Sequence, residues 1–122
     1  MTIIIADDQK HARSGLKAAL AASLPGLEMK EATTGLEAER LADEILPDLI
    51  LMDIRMPDKD GLSATRQIKA RHPEIRIIIH SLHGESSQEA LAAGADAFVS
   101  KGEGFQRLLE TIAALAIPHE RP

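Results

Sequence analysis

A strict alternation of short strand-like runs with longer segments of helical periodicity constrains the fold of this chain more than any other feature. The strand-like runs are Thr2–Ala6, Glu28–Ala32, Asp48–Met52, Arg76–Ser81 and Ala97–Ser100. The segments with helical spacing of apolar residues are Lys10–Ser23, Gly35–Leu46, Gly61–His72, Ser87–Gly94 and Gly104–Ile117. Strands that alternate with helices form a parallel sheet whose two faces are covered by those helices. The alternation therefore predicts an α/β fold.

The strands differ in polarity, and this difference predicts their order in the sheet. Three of them contain continuous apolar runs, Ile3–Ile5, Leu49–Met52 and Ile77–Ile79, which are typical of central strands buried on both faces. The strand Glu28–Ala32 carries charged residues and is expected at an edge. We therefore predict a flavodoxin-like, doubly wound fold, with a five-stranded parallel sheet in the order 2-1-3-4-5 and helices on both faces.

Two segments have the spacing of a capping box, in which a Ser or Thr before a helix and a Glu three residues later each bond to the other's backbone N–H group. One segment runs from Thr34 to Glu37 and the other from Ser86 to Glu89. We expect both segments to start helices.

Composition excludes several classes of protein. The chain has 122 residues, of which 44% are hydrophobic, so a single domain with one core is expected. A formal net charge of −5 argues against direct binding of nucleic acid, since phosphate contacts require a basic surface. Cysteine is absent and the apolar runs are short, so we expect neither thiolate metal sites nor membrane insertion. These features predict a cytoplasmic domain, in which Glu37, Glu39 and Arg40 form an exposed, charged helix face.

Polar residues suited to phosphoryl or metal chemistry fall at the predicted carboxyl ends of four strands. Asp7 and Asp8 follow the first strand, Asp53 follows the third, Ser81 ends the fourth and Lys101 follows the fifth. In an open parallel sheet, binding sites form at this edge, near the point where the strand order reverses. We therefore expect three carboxylates, a hydroxyl and an ammonium group to converge there.

Such a group of side chains has a definite chemistry. Clustered carboxylates repel one another unless one is protonated or a cation lies among them. Oxygen ligands alone favour a hard ion, so the predicted cofactor is Mg²⁺ or Mn²⁺. Beside such an ion, a carboxylate can act as the nucleophile toward a phosphoryl group and form an aspartyl phosphate. Lys101 would neutralise a phosphoryl oxygen, and Ser81 would donate a hydrogen bond to it.

Each of these residues alone has a simpler structural interpretation. An Asp after a strand often caps the next helix, a serine such as Ser81 can stabilise a turn, and a single lysine such as Lys101 is usually solvated. By the same reasoning, Asp58 and Asp60 are expected to serve the turn after the third strand and the start of the next helix. These interpretations do not explain why five suitable groups fall at the same edge. Their coincidence favours a functional site.

A longer motif makes the pattern specific. Its parts are Asp7-Asp8, Asp53-Ile54-Arg55-Met56-Pro57-Asp58-Lys59-Asp60-Gly61, Ser81 and Gly94-Ala95-Asp96-Ala97-Phe98-Val99-Ser100-Lys101. Over the whole chain, this set resembles the receiver domains of bacterial two-component response regulators. The resemblance is greatest to receivers that precede a LuxR-type helix-turn-helix, the NarL/FixJ-like group, because of the segments Ser81-Leu82-His83 and Ala93-Gly94-Ala95.

The resemblance implies roles for the acidic residues. Asp53 would be the phosphoacceptor. Asp8, with Asp7 acting partly through water, would hold Mg²⁺ together with Asp53. The backbone carbonyl of Arg55 would supply a further ligand to the ion.

The resemblance also implies how the phosphoryl group is bound and detected. Ser81 and Lys101 would bind its oxygens. Ser81 and Phe98 would form the switch, with Phe98 turning inward on activation. Arg55 and His83 would flank the path of the attacking water and tune the lifetime of the phosphoryl group.

Receivers of this kind pass a signal between proteins. The phosphoryl group would come from a sensor histidine kinase or a phosphotransfer protein. The signal would leave through the surface of the fourth helix, fifth strand and fifth helix, toward an output domain or a second copy of the chain. Residues 1–118 would form the receiver domain, and residues 119–122 a tail or the start of a linker to a DNA-binding domain. The domain would not be a conventional enzyme, since it would catalyse only its own phosphorylation and dephosphorylation.

Several alternatives can be compared with this interpretation. A phosphohydrolase of the haloacid dehalogenase class needs a second Asp as general acid two residues after the nucleophile, where this chain has Arg55. A nucleotide- or flavin-binding module is disfavoured, because no glycine-rich phosphate loop follows the first strand. A degenerate receiver is disfavoured by the complete set of site residues. A stand-alone receiver that acts by protein–protein interaction remains the alternative to a DNA-binding regulator.

Overall fold

The computed structural model describes residues 1–82 and 84–116, which contain a five-stranded sheet and five α-helices. The strands are β1 (Thr2–Ala6), β2 (Glu28–Ala32), β3 (Leu49–Met52), β4 (Arg76–Ser81) and β5 (Ala97–Ser100). The helices are α1 (Lys10–Ser23), α2 (Gly35–Ile45), α3 (Gly61–Arg71), α4 (Ser87–Ala92) and α5 (Phe105–Ala116). Single turns of 3-10 helix at Gly84–Ser86 and Lys101–Glu103 precede α4 and α5. None of the described helices is both long and apolar enough to cross a membrane.

The strands are all parallel and lie in the order β2-β1-β3-β4-β5, as their polarity predicted. The order reverses at β1, which has β2 on one side and β3 on the other. The register pairs Ala6 with Met52 and Ser81 with Ser100, so neighbouring strands end close to the same level. Side chains that follow these strand ends are therefore brought to one edge of the sheet.

The core has two layers, one on each face of the sheet. Because successive side chains of a strand point to opposite faces, β1 places Ile4 in one layer and Ile3 and Ile5 in the other. The first layer packs against α2, α3 and α4, and the second packs against α1 and α5. All three isoleucines are fully buried. This arrangement explains why the central strands contain the continuous apolar runs Ile3–Ile5, Leu49–Met52 and Ile77–Ile79.

The strand β2 is an edge strand, as its charges predicted. Its residues Glu28, Lys30 and Glu31 are exposed. The Glu31 carboxylate pairs with Arg13 and Lys17 of α1, at 2.7 and 2.9 Å. These ion pairs connect the polar edge of the sheet to the helix that covers it.

The ends of several elements differ from the sequence prediction by one or two residues. α2 and α3 each end one residue earlier than predicted, and β3 begins one residue later. α4 already ends at Ala92, because Gly94 adopts a φ of 106° and redirects the chain toward β5. α5 begins at Phe105, and Ile117, its predicted last residue, lies outside the described residues.

One of the two bonds of the predicted capping box forms at α2, and the predicted serine cap of α4 does not form. Thr34 Oγ1 accepts a hydrogen bond from the Glu37 N–H at 3.0 Å and so caps α2. The Glu37 carboxylate accepts from the Thr33 N–H at 2.8 Å, one residue before the expected donor. Ser86 makes no side-chain cap bond, since it belongs to a 3-10 turn and its ψ of 8° is not the extended conformation that a cap requires.

Candidate functional site

Three charged side chains meet at the carboxyl edge of the sheet. Asp7 follows β1, Asp53 follows β3 and Lys101 follows β5. The Nζ atom of Lys101 lies 2.7 Å from Asp7 Oδ2 and 3.0 Å from Asp53 Oδ2, so one ammonium group bridges two carboxylates. The predicted convergence of these three residues is confirmed, although Asp7 and Lys101 are 94 positions apart in the chain.

Hydrogen bonds to the backbone hold Asp7 in place. Its Oδ1 atom accepts from the Gln9 N–H at 2.9 Å, just before α1 begins. The guanidinium group of Arg13 donates to the Asp7 carbonyl oxygen at 2.8 Å. Only 3% of the Asp7 side chain is exposed. Asp7 therefore fixes the turn that leads into α1 and also contributes a buried negative charge to the cluster.

A reciprocal capping box positions Lys101. The hydroxyl of Ser100 accepts a hydrogen bond from the Gly102 N–H at 3.2 Å, and the Glu103 carboxylate accepts from the Ser100 N–H at 2.8 Å. Lys101 begins the 3-10 turn that these bonds fix. This capping box was not predicted, although the spacing of Ser100 and Glu103 indicates one.

The cluster is electrostatically unbalanced, with two carboxylates for one ammonium group. Burial raises the pKa of the Asp53 carboxyl group, and Asp7 raises it further, whereas the hydrogen bond and positive charge of Lys101 oppose this increase. Burial by itself lowers the pKa of Lys101, but the hydrogen bonds and charges of Asp7 and Asp53 together raise it. Lys101 is therefore protonated near neutral pH, and the excess negative charge of the cluster attracts a further cation.

A cavity of about 400 Å³ opens beside this cluster. Its walls are formed by Asp8, Gln9, Asp53, Arg55, Leu82 and Lys101. Asp8 is exposed on this wall. Within residues 1–82 and 84–116, no three His, Cys, Asp or Glu side chains are arranged to hold a metal ion. The predicted clustering of three carboxylates was therefore only partly right, because Lys101 supplies the positive charge between Asp7 and Asp53 while Asp8 remains solvated.

The cavity wall nevertheless suits a hard divalent cation. Asp8 and Asp53 contribute carboxylate oxygens, and Arg55 lies on the same wall. In proteins Mg²⁺ usually keeps several water ligands and needs only one or two carboxylates. The residues present fit such an ion without a third carboxylate at short range.

The loop between β3 and α3 brings its own backbone close to Asp53. The Ile54 N–H donates to Asp53 Oδ1, and the Gly61 N–H donates to the Ile54 carbonyl oxygen, both at 2.7 Å. A Cβ atom at Gly61 would overlap the Asp53 carbonyl oxygen, so this close approach requires glycine. Asp60 accepts a hydrogen bond from the Ser63 N–H at 2.8 Å and caps α3, as predicted.

The other residues predicted for the site differ in how they are placed. Ser81 ends β4, is fully buried and lies beside Ser100 of β5 in the sheet register. Phe98 is half-buried and packs against the core layer of α2, α3 and α4. Arg55 is exposed on the cavity wall. His83 lies outside the described residues.

Three residues near the site were not predicted. Gln9 and the exposed Leu82 line the cavity. Each directly follows a predicted site residue in the sequence, and this adjacency could have indicated that they lie at the site. The third residue is His80, which precedes Ser81 and for which no role was predicted. Its burial, together with the positive charge of Lys101, lowers the pKa of His80 to about 4, so its imidazole is neutral at physiological pH.

Comparison with known proteins identifies relatives of this chain. The family model described as the response regulator receiver domain matches residues 3–113. The transcriptional activator protein ExaE of Pseudomonas putida is 36% identical over 121 residues, which cover 98% of this chain and 56% of that protein. The chemotaxis protein CheY of Listeria monocytogenes is 39% identical over 88 residues, which cover 70% of this chain and 74% of that protein.

A solved structure agrees with the sequence relatives. The two-component response regulator of the LuxR family from Aurantimonas is 32% identical and superposes with a TM-score of 0.87, over 94% of this chain and 84% of that one. The chain spans about half the length of several curated relatives that it matches. The matched family, these relatives and the observed fold agree, and the chain therefore belongs to the receiver domains of response regulators.

Proposed function

We propose that this chain is the phosphoacceptor switch of a two-component system, in which Asp53 receives a phosphoryl group from a sensor histidine kinase or a phosphotransfer protein. The observation that carries this proposal is the bridge of Lys101 between Asp7 and Asp53 at the wall of an open cavity. The bridge combines a nucleophilic carboxylate, a fixed positive charge and space for a ligand.

The proposed transfer is a displacement at phosphorus. An oxygen of Asp53 attacks the phosphorus atom, and a new O–P bond forms as the P–N bond of a phosphohistidine breaks. The imidazole leaves with the electron pair and is protonated by solvent. Lys101, already within hydrogen-bond distance of Asp53, neutralises a phosphoryl oxygen, while the Ser81 hydroxyl donates a hydrogen bond to another.

The proposed cofactor is Mg²⁺ or Mn²⁺. Asp8, Asp53 and the backbone carbonyl of Arg55 would hold the ion, with Asp7 acting partly through water. When bound, the ion neutralises charge on the phosphoryl oxygens. The fit of these residues to an oxygen-ligated ion supports this assignment.

The phosphorylated state is self-limiting, because water can attack the aspartyl phosphate. We propose that the exposed Arg55, together with His83, hinders this water and lengthens the lifetime of the phosphoryl group. The only reactions that the domain catalyses are then its own phosphorylation and dephosphorylation. It is a switch and not an enzyme with a separate substrate.

The proposed output passes from the site to the surface of α4, β5 and α5. Phosphorylation adds negative charge and hydrogen-bond acceptors beside Ser81. The Ser81 hydroxyl would move toward the phosphoryl group, and Phe98 would turn into the space that it leaves. The changed surface would then contact a DNA-binding output domain or a second copy of the chain, within a cytoplasmic transcriptional regulator. The name of the ExaE relative, a transcriptional activator, supports this output.

A stand-alone receiver is the second candidate. It would comprise residues 1–118 with 119–122 as a tail, and would act by binding another protein. The CheY relative favours it, since the match covers 74% of that protein. The gene sequence beyond codon 122 distinguishes the two candidates, because a DNA-binding regulator must encode a second domain after a linker.

Acetyl phosphate with Mg²⁺ provides a direct test of the proposed site. We expect the intact protein to gain one phosphoryl group, detected by mass spectrometry, and the Asp53→Asn variant to gain none. Asp58→Asn, in the same loop, is the matched control and should be phosphorylated like the wild type. Labelling of Asp53→Asn to the wild-type level would refute the assignment of the phosphoacceptor.

A further inference from the structure

Glu39 is a buried charge on a helix whose sequence predicted an exposed charged face. It is only 8% exposed, whereas Arg40 next to it in α2 is exposed. Ala38 and Ala42, on the same helix, are fully buried in the core layer. The sequence interpretation was therefore wrong for Glu39, and a buried carboxylate on this helix requires a partner.

The partner comes from the loop that begins with Asp53. Lys59 Nζ lies 2.5 Å from Glu39 Oε2, and the two side chains are 25% and 10% exposed. Among the described residues, no other group is bonded to this oxygen, so Lys59 supplies the charge that compensates it. Lys59 lies in the β3–α3 loop, on the side of the loop that meets α2.

The backbone repeats this connection. The Gly35 N–H, at the start of α2, donates to the Lys59 carbonyl oxygen at 2.9 Å. A Cβ atom at Gly35 would overlap that oxygen, so the loop lies directly against the first turn of the helix. Lys59 therefore contacts α2 through both its carbonyl group and its side chain.

The loop itself needs such restraints. Asp58, immediately before Lys59, has a φ of 67°, and a conformation of this kind persists where the surroundings hold it. At its two ends the loop is closed by the hydrogen bond from the Gly61 N–H to the Ile54 carbonyl oxygen. The Lys59 contacts restrain the middle of the loop, which no other described ion pair reaches.

We propose that Glu39 and Lys59 are positioning residues for the phosphoacceptor loop, and that their ion pair holds Asp53 and Arg55 in the geometry that binds the divalent cation. This inference rests on the proposed function, because it concerns the same site. A half-buried ion pair adds little net stability compared with apolar residues of similar size. The short distance between the two charges instead fixes the position of the loop relative to α2.

Two single variants and a matched control test this role. Glu39→Gln and Lys59→Met each break the pair while the partner remains. Lys69→Met breaks another half-buried Lys–Asp pair, between α3 and Asp96, which does not touch the loop. Lys59→Arg keeps the positive charge and serves as the conservative rescue. All variants are compared under conditions in which circular dichroism shows that they are folded.

Two measurements separate positioning from general stability. The first is amide exchange of the Gly35 and Gly61 N–H groups without metal, which reports the opening of the loop. The second is Mg²⁺ affinity from an NMR titration. We expect Glu39→Gln and Lys59→Met to accelerate exchange at Gly35 and to weaken Mg²⁺ binding about tenfold, as loss of a residue that orients a metal ligand commonly does. Lys69→Met should keep the wild-type Mg²⁺ affinity although it destabilises the fold, and Lys59→Arg should retain most of the affinity.

The outcomes distinguish this inference from the proposed function. Wild-type Mg²⁺ affinity and wild-type exchange at Gly35 in Glu39→Gln and Lys59→Met would overturn the positioning role alone. An equal loss of affinity in Lys69→Met would also overturn it, because general destabilisation would then explain the effect. If the wild-type protein shows no saturable Mg²⁺ shifts around Asp53, the proposed function fails, and this inference fails with it.

Discussion

Two clusters of lysine and aspartate lie at opposite edges of the same sheet. At the carboxyl edge, Lys101 bridges Asp7 and Asp53 at 2.7 and 3.0 Å. At the amino edge, Lys69 pairs with Asp96 at 3.0 Å, near the starts of β4 and β5. The Lys101 and Lys69 side chains are similarly buried, at 19% and 16% exposure. Burial and ion pairing alone therefore do not separate a functional cluster from a structural one.

The clusters differ in their charge balance and in their surroundings. Lys69 also donates to the carbonyl oxygens of Pro73 and Ile75, at 3.0 and 2.8 Å. Asp96 accepts from the Ile77 N–H at 2.8 Å and faces a second cation, Arg76, at 3.5 Å. Through these hydrogen bonds, Lys69 and Asp96 connect α3 to β4 and to the start of β5.

The Lys101 cluster has the opposite balance. Asp7 and Asp53 share one cation, and Asp53 and Lys101 line a cavity. Such a site suits another cation and an anionic ligand, whereas the Lys69 ammonium group and the Asp96 carboxylate are already bonded to several groups of the protein. Unmatched charge beside open space is therefore the feature that indicates function in this molecule.

The largest expected effect on stability is at the amino edge. Lys69→Met should lower the free energy of unfolding by about 3 kcal/mol, because it removes three hydrogen bonds at once. The carbonyl groups of Pro73 and Ile75 lose this donor, and the Asp96 carboxylate keeps only the Ile77 N–H and Arg76. Urea unfolding followed by circular dichroism measures this loss. Phosphorylation of the variant by acetyl phosphate should proceed at the wild-type rate. A stable variant would show that this cluster is not structural.

The matching substitution at the carboxyl edge should act mainly on chemistry. Lys101→Met should slow phosphorylation by acetyl phosphate about 100-fold, equivalent to about 2.7 kcal/mol, because it removes the fixed charge that stabilises the transferring group. Initial rates from mass spectrometry would measure the change. A Lys101→Met rate equal to that of Lys69→Met would remove the distinction between the two clusters.

His80 provides a test through pH dependence. Its pKa is about 4 in the folded protein against an ordinary value of 6.5, mainly because of burial. Between pH 6.5 and pH 4, the His80 imidazole is therefore protonated in the unfolded chain but remains neutral in the folded chain. The stability that this residue contributes is complete above pH 6.5 and is lost as the pH falls toward 4.

Replacing His80 by Gln should remove this loss. The difference in unfolding free energy between wild type and His80→Gln should change by about 2 kcal/mol between pH 7 and pH 4, after allowance for partial exposure of the ring. Urea unfolding over that range measures it. An unchanged slope in His80→Gln would show that its imidazole is not desolvated.

The smallest expected effect is stabilisation by the metal ion. At a Mg²⁺ concentration ten times the dissociation constant, binding to the folded state alone should raise the free energy of unfolding by about 1.4 kcal/mol. Removal of the ion with EDTA should reverse the change. Asp8→Ala should lose this stabilisation, and Asp58→Ala should retain it. Equal stabilisation of both variants would place the cation elsewhere.

The sequence by itself determined the sheet and the edge at which the site lies. The apolar runs of β1, β3 and β4 and the charged β2 predicted the strand order, because burial on one or both faces is imposed on each strand locally. Once that order is known, Asp7, Asp53 and Lys101 must lie at one edge, since each follows the end of a parallel strand. These placements needed no knowledge of side-chain contacts.

Only the tertiary structure decided how the individual charges are used. Glu39 belongs to a charged segment in the sequence but is buried, because Lys59, from a loop distant in the chain, packs against it. Asp8 is exposed while Asp7 beside it is buried, although the two are adjacent and chemically identical. The reason is physical: a strand's periodicity is a property of the local chain, whereas the desolvation and pairing of a charge depend on which distant elements pack around it.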